Sequence, residues 1–132
     1  MAINCNSHIA VTSAVMPGML ARKSGAIVNV LSVAGLIGVP VRTIYSAAKF
    51  GLSGFAQALR TEVRPHGINV HNIYPAYVRT SCSVNAMTGT GTNFGKLDAN
   101  IAKGIPVEQC SLEILRAIYH GQNELIIGSA YY

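Results

Sequence analysis

The sequence predicts an α/β fold: a parallel sheet joined by helical crossovers. Three observations predict it. Helix-type and strand-type segments alternate along the chain. The strand-type runs are short, β-branched and apolar with little alternation, as strands buried on both faces are. The longest helix-type segment repeats apolar residues at three- and four-residue steps.

In chain order, residues from about Ile3 to Leu20 read as a helix whose end is disturbed by Pro17-Gly18. Gly25 to Leu31 is the first strand, and a loop follows from Ser32 to Arg42. Thr43 to Arg64 is a long helix with the stripe Ile44, Ala48, Leu52, Phe55, Leu59 and Val63. A second stripe of small residues, Ala47, Gly51, Gly54 and Ala58, is expected to let another helix or sheet approach closely. Pro65 and Gly67 end this helix, and Gly67 to Ile73 is the second strand. Tyr74 to Gly104 is a long irregular stretch, of the kind that is either a functional lid or disordered. Pro106 suits the first turn of a helix running to about His120, which stops at Gly121. Glu124 to Ile127 is a third strand.

Half of the 132 residues are apolar and 11% are charged, against about 25% charged in an ordinary soluble domain. Charges are too few to coat a small globule, so the chain is expected to lean on another half, a subunit or a membrane surface. Disorder, collagen and a coiled coil are excluded. The net charge is +5, but the basic residues are scattered and form no stripe with interleaved aromatics. No nucleic-acid partner is expected. Cys5, Cys82 and Cys110 are widely spaced and odd in number, which fits a reducing compartment rather than a disulfide framework or zinc site. His8, His66, His71 and His120 have no metal-ligand spacing. The uncharged run from Ser24 to Val41 is interrupted by Asn29, Ser32, Gly35, Gly38 and Pro40, so it reads as strand and loop rather than a membrane span. Asn4 and His8 sit where a signal peptide would be apolar.

The chemistry concentrates in Tyr45-Ser46-Ala47-Ala48-Lys49. A tyrosine and a lysine four residues apart share a helix face. An ammonium beside a phenol favours the phenolate, which makes Tyr45 a credible general acid/base for a carbonyl/alcohol pair. Alone, this spacing is common by chance. Here Ser32 lies 13 residues upstream at the C-terminal end of the first strand, where α/β sheets place ligands. Asn4 precedes it inside the first helix. Pro75 and Thr80 follow the second strand.

The stretch SVAGLIGVPVRTIYSAAKFGLSGFAQALR, with NVLS before it and INVHNIYPAYVRT after it, resembles the active-site signature of the short-chain dehydrogenase/reductase family. The tail NFGKLDANIAKGIPVEQCSLEILRAIYHGQNELIIGS is similar to the family's member-seven subgroup. The resemblance implies the C-terminal part of a Rossmann-like, doubly wound parallel sheet. It implies that residues 1–132 are a partial domain without the N-terminal cofactor-binding strands. Neither the T-G-x-x-x-G-x-G turn that seats the pyrophosphate nor the N-N-A-G segment occurs. The glycine-rich run Thr88 to Gly95 follows no strand and opens no helix, so it reads as substrate-loop sequence. The chain would be a fragment, a shortened isoform or a sequence read from a late start.

The resemblance also assigns roles. Tyr45 would exchange the proton with the substrate oxygen. Lys49 would support it and bind the nicotinamide ribose. Ser32 would position the substrate carbonyl, and Asn4 would hold a water linking Lys49 to bulk. Tyr45, Lys49, Pro75, Val78 and Thr80 would bind the cofactor, NADP or NAD. No metal is implied. Two residues depart from the pattern: Ala76 stands where glycine is usual, and Leu31 where serine is common.

The implied activity is NAD(P)(H)-dependent oxidation of a secondary alcohol or reduction of a carbonyl, with a small-molecule substrate. The alternatives are an inactive shortened chain that only associates with a full-length relative, and an unstable chain with no function. The two stripes of the long helix cannot both be buried by so few strands. Leaving about 400 Å² of apolar surface exposed forgoes roughly 10 kcal/mol, so an oligomer or docked state is expected. The expected location is intracellular, at the endoplasmic reticulum membrane by resemblance.

Overall fold

The computed structural model describes residues 1–128. Helix α1 spans Ser7–Arg22 and is entered through a π-helical turn at Ala2–Asn6. Strand β1 (Gly25–Val30) follows, then helix α2 (Thr43–Val63) and strand β2 (Ile68–Pro75). The short helix α3 (Ala99–Ala102), helix α4 (Val107–Tyr119) and strand β3 (Glu124–Ile127) complete the order. Among the described residues the sheet has three parallel strands in the order β1-β2-β3.

Strand alternation decides which helix covers which face. Ile68, Val70 and Tyr74 point from one face of β2 into Ala48, Leu52, Ala56 and Val63 of α2. Ile73 points the other way and packs with Cys110 and Ala117 of α4. The strands advance in one direction while α2 and α4 cover opposite faces. The two crossovers therefore have opposite hands, and one departs from the right-handed rule. The long connection between β2 and α4 supplies the chain that reaches the second face.

Several boundaries differ from the sequence expectation. Pro17 lies inside α1, which continues to Arg22 and ends at Lys23 in a left-handed conformation. Pro17 and Ser13 are both exposed, so water can take the carbonyl that the missing N–H leaves unpaired. β2 runs two residues past Ile73 because β3 pairs with Tyr74 and Pro75, a partner remote in sequence. α3 was not foreseen. Asp98 caps it, accepting from the Asn100 and Ile101 N–H groups. Gly67 does have the positive φ its position requires, and a Cβ there would collide with the Lys23 carbonyl.

The stripe on α2 is partly confirmed. Ala48, Leu52 and Val63 are buried, but Ile44 is 70% exposed because the first turn of α2 overhangs the sheet end. The small-residue stripe is met in part: a Cβ on Gly51 would stand 3.6 Å from Cys5 Sγ of the π-helical turn, while Ala47, Gly54 and Ala58 are exposed.

A polar chain crosses the α2-side core. Asn29 of β1 donates to its sheet partner Asn72 (3.2 Å), Asn72 donates to the Tyr74 hydroxyl, and that hydroxyl meets Ser53 at 2.9 Å. At the opposite end of the sheet Arg60 reaches from α2 to the Val70 and Asn123 carbonyls, each at 2.9 Å, and to Glu124 at 3.2 Å.

Candidate active site

β1 and β2 end side by side, and the loops leaving them open a cleft of about 440 Å³. Ser32, Tyr45, Lys49, Pro75, Val78 and Thr80 all line it. The cleft thus lies at the C-terminal ends of parallel strands, where this architecture places ligands.

Ser32 leaves β1 in an extended conformation and caps a 3-10 turn at Val33–Gly35. Its Oγ accepts the Ala34 N–H at 3.2 Å. One lone pair is thereby engaged, and the hydroxyl hydrogen remains to be donated into the cleft. Gly35 lets this turn lie directly on α2: a Cβ there would stand 3.0 Å from the Lys49 carbonyl oxygen. Ser46 fixes the far side of the loop, its Oγ accepting the Val39 N–H at 3.3 Å.

Tyr45 is the third residue of α2 and is half-buried. Lys49, one turn on, is only 6% exposed. Its Nζ lies 5.8 Å from the Tyr45 ring centroid, within cation–π range. It also donates to the Val30 carbonyl at 3.3 Å. Burial pushes the Lys49 ammonium below the usual lysine range. The i, i+4 spacing therefore does bring ammonium and phenol ring together.

Asn4 is placed differently. It is half-buried in the π-helical turn and lines a neighbouring cleft of about 740 Å³, not the one lined by Ser32 and Lys49. Tyr45, Arg42, Cys82 and Ile101 form the wall common to both clefts. Thr80 is exposed, and its Oγ1 accepts the Cys82 N–H at 3.4 Å. Val78 is held by a parallel bridge to Ile105.

Ala76 has no positive φ. The position does not need glycine here, and its Cβ joins the buried cluster around Leu31 and Tyr74. Leu31 is itself a buried member of that cluster. Arg42, Gly35 and Ser46 escaped the sequence reading. Only Gly35, in Ser-Val-Ala-Gly after a strand, carried a local signal.

The stretch from Thr88 to Gly95 folds back on itself through an antiparallel bridge between Met87 and Asn93. The Thr88 hydroxyl meets those of Thr90 and Thr92 at 2.9 and 2.8 Å. No group of His, Cys, Asp and Glu among the described residues could hold a metal ion. No helix among them is long and apolar enough to cross a membrane.

Helices on both faces of a parallel sheet, with a cleft at the strand ends, define a Rossmann-like α/β protein. The short chain dehydrogenase family model matches residues 1–90. A dehydrogenase/reductase SDR family protein 7-like of Anopheles gambiae is 39% identical over 127 residues, 96% of this chain and 40% of that protein. The SDR family member 7B of Xenopus tropicalis is 38% identical over 127 residues, 96% of this chain and 41% of that protein. Among solved structures, a short-chain dehydrogenase from Sphingobium yanoikuyae in complex with NADPH is 27% identical with a TM-score of 0.79, covering 94% of this chain and 45% of that one. The chain belongs to the short-chain dehydrogenase/reductase family of oxidoreductases, with its likeness in the member-seven subgroup. It spans about 40% of the length of the curated relatives it matches.

Proposed function

We propose that residues 1–132 are the catalytic C-terminal half of an NAD(P)(H)-dependent oxidoreductase that interconverts a secondary alcohol and a carbonyl. The observation that carries this reading is the shared cleft: Ser32, Tyr45 and Lys49 face Pro75, Val78 and Thr80 across one opening at the strand ends.

In this reading Ser32 donates its free hydroxyl hydrogen to the substrate oxygen and fixes its position. Tyr45 gives the proton to that oxygen on reduction and takes it back on oxidation. Lys49 holds positive charge against the ring of Tyr45, anchored by the Val30 carbonyl. Asn4 lines the wider cleft together with Tyr45 and not the one lined by Lys49, so the water it would hold lies on the Tyr45 side. Pro75, Val78 and Thr80 would hold the nicotinamide end of the cofactor, whose ring supplies or accepts the hydride. The fit is to that end alone. The Thr88 to Gly95 stretch forms a self-bonded turn and not the opening of a helix, so the rest of the dinucleotide would need the remainder of a full-length enzyme.

The test is turnover of a chain joined to the N-terminal half of the enzyme. Tyr45→Phe is expected to lower it by at least roughly 10²-fold; near-normal turnover would refute the assignment. The 132-residue chain alone is expected to bind NADPH and NADH negligibly. Nicotinamide fluorescence titration checks this, and micromolar affinity would contradict it.

A second reading, an inactive chain that associates with a full-length relative or with itself, is favoured by the exposed stripe Ala47, Gly51, Gly54 and Ala58 beside Phe50. Sedimentation separates the two. A soluble monomer with a cooperative thermal transition would count against association.

A further inference from the structure

Four large apolar side chains stand at the edge of the wide cleft with much of their surface in water. Val41 is 100% exposed, Met87 71%, Ile44 70% and Phe94 49%, yet all four line that cleft. Residues that line a cleft and also face solvent form its mouth. They come from two tips. One is the start of α2, where the helix overhangs the sheet. The other is an arm in which the chain folds back on itself. Its rungs are Gly95 N–H to the Val84 carbonyl (3.1 Å), Phe94 N–H to the Ala86 carbonyl (2.7 Å) and Thr88 N–H to the Thr92 carbonyl (2.8 Å). The rungs satisfy the arm's own backbone and leave Met87 and Phe94 outside the buried clusters of the described residues.

Val41 is the sharpest case. Its φ is +64°, a left-handed conformation that is unfavourable for a β-branched residue. A fully exposed valine makes no contact within the chain to offset that strain, so the contact that would offset it lies outside the chain. Each tip also sets a cation among its apolar residues: Val41-Arg42-Thr43-Ile44 on one and Phe94-Gly95-Lys96-Leu97 on the other. Arg42, Lys96 and Leu97 are exposed. The carboxylate lining the cleft, Asp98, is engaged in capping α3 and faces Arg42 at 4.0 Å. The exposed Leu112 and Leu115 of α4 stand instead on a helix that carries Glu108 and Glu113 as well as Arg116.

We propose that this rim is a lipid-binding surface. Its apolar side chains enter the headgroup layer of an anionic bilayer, and Arg42 and Lys96 reach the lipid phosphates and carboxylates. Apolar anchors interleaved with long cationic side chains suit such an interface. Docked in this way, the wide cleft beside Tyr45 opens toward the lipid. The inference rests on the composition of the rim and does not depend on the proposed oxidoreductase activity.

The chain has no tryptophan, so a single reporter can be placed on each face. In the 132-residue chain, Met87→Trp is expected to shift its emission to the blue and resist acrylamide when vesicles of mixed phosphatidylcholine and phosphatidylserine are added. Leu112→Trp, on α4, is expected to show neither change. Flotation with the same vesicles measures affinity. Arg42→Gln and Lys96→Gln are each expected to weaken binding about fivefold, since a cation at an anionic surface contributes roughly 1 kcal/mol. Val41→Ser combined with Ile44→Ser is expected to weaken it by at least about tenfold. Equal affinity for pure phosphatidylcholine, an equal response of the two reporters, or no response of Met87→Trp would each overturn the proposal. So would a blue shift of Met87→Trp that grows with protein concentration before any vesicle is added, which would mark a second copy of the chain as the occupant.

Discussion

Helix α2 rests on the sheet differently at its two ends. Towards its C-terminus Ala56 and Val63 sit on Ile68 and Val70 in a fully apolar cluster, and Arg60 is bonded to carbonyls of β2 and of the turn before β3. Towards its N-terminus the same helix buries Lys49, overhangs the sheet with Ile44, and forms walls of two clefts with Arg42 and Tyr45. One end accumulates packing. The other keeps a buried charge and open volume, features that cost stability and that chemistry needs. A helix 21 residues long lets the first end hold the second in place.

This contrast can be broken most severely from the packed end. Ile68→Ala removes a side chain that is 1% exposed beneath α2 and is expected to lower stability by about 2–5 kcal/mol. For a small domain that is a large part of the total, so denaturant unfolding should show a marginal or absent transition. Arg60→Ala comes next. It leaves the part-buried Val70 and the exposed Asn123 carbonyls without their donor, and a loss of about 0.5–1.5 kcal/mol is expected from the same measurement.

At the open end the expected effects are smaller, and one reverses sign. Burial holds the Lys49 ammonium below its ordinary range, so the unfolded chain binds that proton more tightly than the folded one. The penalty is in full force below the folded-state value and fades as pH rises toward the ordinary lysine value near about 10.4. Lys49→Met is therefore expected to raise the thermal midpoint at neutral pH, with an advantage that narrows as melts are repeated toward that pH. An advantage that grew with pH would mean that the charge is stabilising where it sits. Tyr45→Phe, at a half-buried position with no cavity created, should shift stability by less than about 0.5 kcal/mol while removing the hydroxyl. A large shift would show that Tyr45 belongs to the core rather than to the cleft.

The parts legible in the sequence were those fixed by near neighbours. The i, i+4 relation of Tyr45 and Lys49 follows from helix geometry, and the runs that became β1 and β3 announced themselves by their β-branched residues. The end of β2 depended on pairing with Ile126 and Ile127, far along the chain. The arm was hidden because its rungs join residues of no strand-like pattern. Arg42 drew no notice because only Asp98, remote in sequence, gives it a partner. Spacing along a helix does not say that a π-helical turn sets Asn4 on the other cleft.

The sheet pairing has a consequence for how the chain reaches this state. Asn29 finds Asn72 across 43 residues, and Asn72 is in turn aligned with Glu124. Each strand must wait for a distant one, and closing such loops is paid in entropy before any rung forms. Non-local pairing of this kind slows folding relative to a helical bundle of the same size. Until β2 arrives, β1 is an apolar ribbon with free backbone groups on both sides, the species most prone to pair with its own kind. The amide bridge from Asn29 to Asn72 then acts as a proofreading step. A register shifted by two residues would set Asn29 against Val70 or Tyr74 and leave its buried amide without that partner, so misaligned pairs are free to come apart and try again.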